Sequence, residues 1–580
     1  MKSILGYLKP IHWALIVVMA VFITLQVWMD LEIPGYMSRI TVLLNDGGTA
    51  SEIFDEGSMM ILFSIGSVIC SIAAGGVAAY VASEYAKILR KKQFSRVQSF
   101  SPEEMNKFDI YSLITRSTND VTQVQMAVSR TSQLIVKVPV MVYIALSKVA
   151  TGSWEWTEVT TVGIIAIVIV QIFMLVYVIP RYRRVQKYTD GMNRTVRESM
   201  SGVRVIRAFN ADEYQNAKAD AANDELTENN LYASRLLAFT RPFNGVVQNL
   251  LTVAIYILGA GIIMSAADYD SALNTFSNMV VFSSYVLYVV SSFILLAHVA
   301  MGLPRALVCA RRINEVINTD ITVLNGERKQ SEDTDVCISF KDVSFAYPDS
   351  MGDTLTGITF DVKRGETVAI IGQTGSGKTS LVNLVPRLFD VSSGRLLVDG
   401  VDVKDYDLDY LRSKIGFATQ KPVLFSGTAG YNIGYGSKGC GEDRLWDAAR
   451  IAKIDSFLES REGMETKIEQ MGANLSGGQK QRVSIARAVC KRPEIYIFDD
   501  TFSALDFKTD LEVRRNLRTE TSGSTILIVS QRISTISDAD RIIVIADGRM
   551  VGNGKHADLL RSCPIYAEMA KIQECAEVEG

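Results

Sequence analysis

The chain has 580 residues, more than one hydrophobic core usually contains, so we expect more than one domain. Its formal net charge of −3 excludes the strongly basic composition that is typical of nucleic-acid-binding proteins. The seven cysteines include no CxxC pair and there are only three histidines, so neither a disulfide framework nor a zinc site is expected. A mean hydropathy of +0.16 hides two unlike halves: long apolar runs up to about residue 310, and an ordinary soluble composition after about residue 335.

Six apolar segments in the N-terminal half are long enough to cross a bilayer, which needs about 20 largely apolar residues. These segments are residues 11–33, 59–81, 132–150, 159–180, 243–266 and 275–301. Buried core helices of a soluble protein are the alternative, but the run 162–179 is too long and too uniformly apolar for that. No small-residue cleavage site follows the first run, so we interpret it as a retained span rather than a signal peptide.

Loop charge predicts how these spans are oriented. The loop 41–58 has four acidic residues and no Lys or Arg, whereas residues 82–131 and 181–242 are rich in both. The two basic segments and both termini are therefore predicted to be cytoplasmic. Because these segments show helical periodicity, we expect the membrane helices to extend into the cytoplasm and to turn back near 104–112 and 209–216. Plain solvated loops are the alternative.

A few polar residues lie inside the predicted spans: Asp30, Glu32, His298, Gln248 and Asn249. An ionisable residue at membrane depth is by default a candidate for function, so Glu32 and His298 are candidates for a substrate cavity. Asp30 and Glu32 lie near the outer end of the first span, and simple contact with water is the alternative.

The C-terminal half contains a P-loop in its required context. The apolar strand 366–371 leads into GQTGSGKT, and an apolar helix follows. The glycines allow backbone N–H groups to surround phosphates, and the helix presents its positive end to the same anion. We expect Lys378 to reach the β- and γ-phosphates of ATP and Thr379 to bind Mg²⁺. The predicted ATP-binding residues of this segment are Gly372, Gln373, Thr374, Gly375, Ser376, Gly377, Lys378, Thr379 and Ser380.

A second apolar strand, 494–500, ends in two carboxylates. Asp499 beside a P-loop would complete the Mg²⁺ shell, and Asp500 stands where a general base would. Between the two strands lies 473–488, in which Ser-Gly-Gly opens a helix and forms a second phosphate-binding terminus. About a hundred residues separate it from the P-loop, so the two need not bind the same ATP.

With LSGGQ after a P-loop, the chain resembles exporter-type ABC transporters over essentially its whole length. Its N-terminal half is similar to their six-span membrane domain, including the segments 108–121 and 201–210. The resemblance implies a membrane all-α six-helix exporter domain (1–320), a linker (321–336) and an α/β P-loop NTPase domain (337–580). It also implies that two nucleotide-binding domains dimerise head to tail, with each ATP between the P-loop of one and the LSGGQ helix of the other.

The resemblance also assigns roles to matching residues. Tyr347 would stack on adenine, and Gln420 would contact Mg²⁺ and sense the membrane domain. Asp506 would lie at the dimer seam, and the segments 104–112 and 209–216 would be coupling helices. The residues assigned to the ATP that the partner holds are Ser476, Gly477, Gly478 and Gln479. The predicted Mg²⁺ ligands are Thr379, Gln420 and Asp499.

Two catalytic positions depart from the family pattern. The family has Glu after the Walker-B Asp, but this chain has Asp500, which is one methylene shorter. A general base displaced by about 1 Å can lose about a hundredfold in rate. The family also has a switch His, whereas here Gln531 follows the strand 526–530, and Gln can donate a hydrogen bond but carries no charge. The loop 466–472 differs from the family's TEVGERG-like sequence as well, which leaves the contacts between domains open.

We therefore predict the degenerate-site subunit of a heterodimeric, multidrug-type ABC exporter in the plasma membrane, with both termini and the nucleotide-binding domain in the cytoplasm. Hydrolysis of Mg²⁺-ATP is expected mainly at the site shared with a partner half-transporter that retains the Glu and the His. The other expected contacts are the lipid bilayer and a small amphipathic substrate, drug or lipid, and no nucleic acid. A functional site that tolerates Asp and Gln is the alternative to degeneracy. Alternatives for the whole protein are a homodimeric exporter or lipid flippase, an importer on the exporter fold, and an ATP-gated regulatory membrane protein.

Overall fold

The computed structural model describes residues 6–150, 154–265, 269–348, 350, 352–437 and 439–579, apart from some side chains within helices. The chain forms two compact units. The first comprises Met1–Gln98 and Ile110–Thr319, and the second comprises Ser99–Asp109 and Asp320–Gly580.

The first unit is helical throughout its described residues. Its helices are α1 (Pro10–Asn45), α2 (Ala50–Gln98), α4 (Ile110–Thr115), α5 (Val121–Ala150), α6 (Trp154–Ser201), α7 (Val203–Ala208), α8 (Asp212–Ala238), α9 (Thr240–Met264) and α10 (Tyr269–Asn318). A π-helical turn, Arg116–Asp120, joins α4 to α5. The short helix α3 (Pro102–Lys107) belongs to the second unit.

Each of the six predicted spans lies on a long helix. Five stretches are long and apolar enough to cross a membrane, namely Pro10–Asn45, Ala50–Gln98, Ile110–Ala150, Pro242–Met264 and Ser271–Leu295. The fourth predicted span, 159–180, lies on α6, where Thr161–Val170 is an apolar stretch and several of the following side chains fall outside the described residues.

The helices of the first unit pack through one face and expose apolar side chains on the other. On α1 the buried face follows helical spacing, with Met19, Ile23, Val27 and Leu31 four residues apart. This face packs in one cluster with residues of α5 and α10, such as Tyr285. Other apolar side chains of these helices are exposed, as expected for surfaces that contact lipid. The unit is thus the membrane part of a multi-pass protein.

Two of the candidate polar residues have protein partners. Glu32 Oε1 forms an ion pair with Lys148 Nζ at 2.8 Å, and Asp30 accepts a hydrogen bond from Ser67 Oγ. Pairing is the usual way to hold charge at membrane depth, so the ion pair explains Glu32 without a ligand. The side chain of His298, the other candidate, lies outside the described residues.

Both predicted reversals are present but are shorter than expected. The first is α3 followed by Phe108 and Asp109, and the second is the turn 209–211, where Asn210 has a φ of 50°. Residues 212–216, predicted as part of the turn, already belong to α8. Glu104 of α3 is fully buried and accepts hydrogen bonds from the N–H groups of Ser101 (2.7 Å) and Thr322 (2.8 Å).

The second unit is an α/β domain with three sheets. Its strands are β1 (Val336–Phe345), β2 (Leu355–Lys363), β3 (Thr367–Ile371), β4 (Ser393–Val398), β5 (Val401–Asp402), β6 (Ile415–Ala418), β7 (Gly427–Thr428), β8 (Lys467–Ile468), β9 (Ile495–Asp499), β10 (Thr525–Val529), β11 (Arg541–Ala546) and β12 (Arg549–Gly554). Its remaining helices are α11 (Lys378–Leu384), α12 (Leu408–Ser413), α13 (Ala429–Ile433), α14 (Glu442–Ile451), α15 (Asp455–Glu459), α16 (Gly477–Cys490), α17 (Phe507–Glu520), α18 (Ile533–Ile536), α19 (His556–Ser562) and α20 (Pro564–Glu579).

The central sheet has the order β12-β11-β3-β10-β9-β6 and is parallel except for β12. An antiparallel sheet with the order β2-β1-β4-β5 and the small pair β7-β8 complete the unit. Strands β9 and β10 are buried along their whole length, which explains their nearly continuous apolar sequences.

The central sheet determines where the site forms. Val529, at the end of β10, pairs with Ile370 of β3 on one side and with Asp499 of β9 on the other. The three neighbouring strands therefore end at one edge, as parallel strands do. This edge brings together the loop that starts at Gly372, the two carboxylates and Gln531.

Candidate nucleotide-binding site

The P-loop conformation requires two of its glycines. A Cβ on Gly372 would lie 2.1 Å from the carbonyl oxygen of Ile545, which no side chain tolerates. Gly377 caps α11 with a φ of 98°, a left-handed conformation that favours glycine. The loop between them is a narrow backbone cradle of the kind that binds phosphate.

Lys378 is buried beneath this loop. Its Nζ donates hydrogen bonds to the carbonyl oxygens of Gly372 (2.9 Å) and Gln373 (2.7 Å). Burial lowers the pKa of Lys378, while the negative charges of Asp500 and Asp499 oppose that shift. An ammonium group held by neutral carbonyls can exchange them for phosphate oxygens.

Thr379 and Asp499 are in direct contact, as the predicted Mg²⁺ site requires. Thr379 Oγ1 donates to Asp499 Oδ1 at 3.0 Å. Burial raises the pKa of Asp499, although the hydrogen bond from Thr379 and the charge of Lys378 oppose this. A hydroxyl and a buried carboxylate are hard oxygen ligands, which suits Mg²⁺. The described residues contain no cluster of three His, Cys, Asp or Glu for a metal, and Mg²⁺ typically uses one or two carboxylates with substrate phosphates instead.

Asp500 follows β9 in a left-handed conformation, with a φ of 48°. Its Oδ2 accepts a hydrogen bond from Gln420 Nε2 at 3.2 Å, so the structure brings these two predicted residues together. Its Oδ1 is buried and has no partner among the described residues. Burial raises the pKa of this carboxyl, while the hydrogen bond from Gln420 and the positive charge of Lys378 oppose the shift. A carboxylate with one free buried oxygen is suited to accept a proton.

Gln531 lies at the rim of the P-loop. Its Oε1 accepts a hydrogen bond from Thr374 Oγ1 at 3.3 Å. The backbone on either side of Arg532 is held by Gln573 of α20, whose Nε2 donates to Gln531 O (2.7 Å) and whose Oε1 accepts from Ile533 N (2.8 Å). Gln573 was not predicted from the sequence, because nothing in the pattern of the last helix distinguishes this amide.

Tyr347 is half-buried close to the start of α11. Its hydroxyl is 2.9 Å from Ser380 Oγ, and its ring packs edge-on against Phe345 and Phe389, with centroids 4.8 and 5.4 Å apart. An adenine ring could pack beside Tyr347 in this position, and stacking on adenine stays a prediction.

The LSGGQ segment forms a separate, exposed helix terminus. Ser476 caps α16: Gln479 N donates to Ser476 Oγ (3.3 Å), and Ser476 N donates to Gln479 Oε1 (2.8 Å). Within the described chain, no hydrogen bond or ion pair joins Ser476–Gln479 to the P-loop. The two phosphate-binding termini of one chain are thus not assembled into one site.

Gln481 connects α16 to the site, and Asp506 caps α17. Gln481 is buried on α16 and donates from Nε2 to Thr419 O at 3.2 Å, next to Gln420. This link could not be predicted from the sequence, because it depends on tertiary packing. Asp506 caps α17 by accepting from Thr509 N at 2.9 Å, and this hydrogen bond lowers its pKa. Its predicted place at a dimer seam stays a prediction.

A P-loop site on the same chain as a bundle of membrane-length helices defines an ATP-driven membrane transporter. Comparison with known proteins specifies the family. Residues 355–503 match the model of the ABC transporter family, and residues 16–293 match that of the ABC transporter transmembrane region.

Similar proteins cover nearly the whole chain. An uncharacterised ABC transporter ATP-binding protein of Mycobacterium tuberculosis is 35% identical, over 94% of this chain and 94% of the relative. An ATP-dependent lipid A-core flippase of Syntrophus aciditrophicus is 30% identical, over 87% of this chain and 83% of the relative. The solved structure of a bacterial Atm1-family ABC exporter with ATP bound superimposes with a TM-score of 0.78, at 23% identity, over 98% of this chain and 99% of that one.

The chain belongs to the ABC transporter family, as an ATP-hydrolysing exporter half-transporter with fused membrane and ATP-binding domains. The predicted fold class, a helical exporter membrane domain with a P-loop NTPase domain, is confirmed.

Proposed function

We propose that this chain is one subunit of a heterodimeric ATP-driven exporter and that its own ATP site is degenerate. Its LSGGQ helix completes the competent site of the partner. The observation that carries the proposal is Asp500 and Gln531 together at one sheet edge, beside an otherwise intact P-loop. Ser476 and Gly477 are exposed, and within the described chain no hydrogen bond or ion pair joins Ser476–Gln479 to the P-loop. Both observations support a site shared between two subunits.

The geometry of Asp500 explains slow hydrolysis. A general base must come within about 2.6–3.2 Å of the proton that it takes. The Asp side chain is one methylene shorter than Glu, and Gln420 holds one of its oxygens. A shortfall of about 1 Å costs about a hundredfold in rate.

Gln531 replaces a residue that would make a second contribution to the rate of hydrolysis. In its place, His would offer a proton or a positive charge to the γ-phosphate, whereas an amide is neutral. The hydrogen bond from Thr374 occupies the Oε1 of Gln531, so its amide N–H₂ is the group left for phosphate.

ATP is held by this chain's own residues. Lys378 and the P-loop backbone would bind the phosphates, Tyr347 would lie against adenine, and Thr379, Gln420 and Asp499 would hold Mg²⁺. When bound, Mg²⁺ neutralises phosphate charge. ATP in this site closes the domain pair and stays, while turnover occurs at the site that Ser476–Gln479 completes.

The exporter moves amphipathic molecules, drugs or lipids, across the plasma membrane, with its termini and ATP-binding domain in the cytoplasm. The helix α3 and the turn 209–211 transmit closure of the ATP-binding domains to the spans. The domain limits that we propose are 1–320 for the membrane domain, 321–336 for the linker and 337–580 for the ATP-binding domain.

A homodimeric lipid flippase is the second candidate. It is favoured by the similarity to proteins named lipid A-core flippases over most of their length. That assembly would place Asp500 and Gln531 in both ATP sites, which leaves no site with the complete catalytic set.

Purification separates the two candidates. The tagged chain is purified alone and after co-expression with a candidate half-transporter that retains the catalytic Glu and the switch His. The mass of each complex and its ATPase rate are measured. We expect a one-to-one complex whose ATPase rate is at least tenfold higher than that of the chain alone. A stable, fully active homodimer would overturn the proposal.

A further inference from the structure

A cavity of about 510 Å³ lies between α5 and α10 in the first unit. Its lining is mainly apolar, with Met126 and Leu134 from α5 and Leu295 and Leu303 from α10. None of the described lining residues is acidic. A volume of this size accommodates a small amphipathic molecule.

Two cations, Arg130 and Lys137, also line this cavity. They are seven residues apart on α5, which places them on one face about 10 Å apart along the helix axis. Neither has an ion-pair or hydrogen-bond partner among the residues that the structure describes. Lys137 lies within the third predicted span, 132–150, where an unpaired charge is costly.

The ion pair between Glu32 and Lys148 shows how this unit neutralises a charged side chain without a ligand. That lysine has a carboxylate at 2.8 Å, whereas Lys137 has none. Among the residues that the structure describes, two positive charges therefore lie beside an apolar surface without a counter-charge.

We propose that this cavity binds the transported molecule and that it selects anionic amphipaths, with Arg130 and Lys137 contacting a phosphate, sulfate or carboxylate group. The inference rests on the proposed exporter function and specifies its substrate class. The tail lies against the apolar side chains of α5 and α10, and the anionic group supplies the missing counter-charge. The same chemistry is present in anionic lipids of the membrane and in free amphipaths.

The test uses the full-length chain with its partner in phosphatidylcholine nanodiscs. Equilibrium binding is measured for dodecyl phosphate and dodecyltrimethylammonium, which share a tail and differ in charge. We expect dodecyl phosphate to bind at least tenfold more tightly. Lys137→Gln should weaken its binding about tenfold, and Lys137→Glu, which offsets the charge of Arg130, should abolish the preference. Nanodiscs that also contain phosphatidylglycerol reveal the source of the ligand. If this lipid competes with dodecyl phosphate, the ligand is a membrane lipid; if it does not compete, the ligand is a free amphipath.

Lys91→Gln is the matched control, because Lys91 is an exposed lysine of α2 that does not line the cavity. Equal binding of the two probes to the unmodified protein, or equal loss in the Lys91 and Lys137 variants, would overturn the proposal. Because Lys137 and the ATP site belong to different units, an unchanged Tm of the purified pair is used to show that each variant is folded. Binding of dodecyl phosphate without any coupled ATP hydrolysis or transport would leave the anion-binding cavity standing and contradict the proposed transport of amphipathic molecules.

Discussion

Restoring the family's catalytic residues should activate the ATP site of this chain. In the structure, Asp500 Oδ2 is held by Gln420 and Oδ1 is buried without a partner in the described chain. Asp500→Glu moves the carboxylate about 1 Å further from the backbone, and a gain of about a hundredfold in hydrolysis follows from that distance alone. Adding Gln531→His should raise the rate further, because the backbone at 531 stays fixed by Gln573.

The assay is single-turnover hydrolysis of ATP by the purified pair, with the partner's catalytic Glu replaced by Gln so that only this chain's site turns over. Asp443→Glu is the control, since it lengthens an exposed carboxylate in the first turn of α14. The reasoning is refuted if Asp500→Glu leaves the rate unchanged while ATP still binds, or if the unmodified site is already as fast.

The remaining predictions concern stability and positioning. Burial raises the pKa of Asp500 above its usual 3.8, so the folded protein favours the protonated carboxyl. This carboxyl therefore contributes to stability below pH 3.8, and the contribution is lost as pH rises through the folded-state pKa. Asp500→Asn should therefore raise the Tm of the nucleotide-free protein at pH 7, and the gain should shrink towards pH 4. Asp506, whose pKa is lowered, behaves oppositely: Asp506→Asn should lower Tm slightly at pH 7 and converge with the unmodified protein in acid. Gln573→Ala removes the two hydrogen bonds to the backbone of Gln531 and Ile533, worth about 1–3 kcal/mol together. It should weaken ATP binding, measured with a fluorescent analogue, about tenfold. A double-mutant cycle of Glu32→Gln and Lys148→Met, read by Tm in detergent, should show a coupling on the order of 1 kcal/mol.

Controls distinguish these effects from general damage. Lys571→Ala changes an exposed residue of the helix that carries Gln573 and should leave ATP affinity unaltered. An equal loss in both variants would contradict a positioning role for the amide. A lower Tm for Asp500→Asn at pH 7 would contradict the assigned cost of burying that carboxylate, and additive effects at Glu32 and Lys148 would contradict their coupling.

The parts of this molecule that follow from local sequence were predictable. The spans on α1, α2 and α5 were predictable because the length and apolar composition of each segment can be read directly from the sequence. The P-loop needs only a strand, a glycine-rich turn and a helix, all within a short segment. Asp499 and Asp500 could be placed beside it because a buried strand precedes them and parallel strands end at one edge.

Contacts between distant residues could not be predicted in the same way. Gln573 reaches Gln531 and Gln481 reaches Thr419 only because their helices pack against the sheet edge. The ion pair that explains Glu32 joins α1 to α5, and helical periodicity does not specify which lysine lies opposite. The second reversal was predicted too long because its polar residues suit a helix start as well as a turn.

The proposed asymmetry between the two ATP sites is tested most directly by the steady-state ATPase activity of the purified pair. The activity is measured after the general base of one site at a time is replaced. Asp500→Asn should leave most of the activity, whereas replacing the partner's catalytic Glu by Gln should remove nearly all of it. Loss of activity with Asp500→Asn, and its retention after the partner's substitution, would contradict the account.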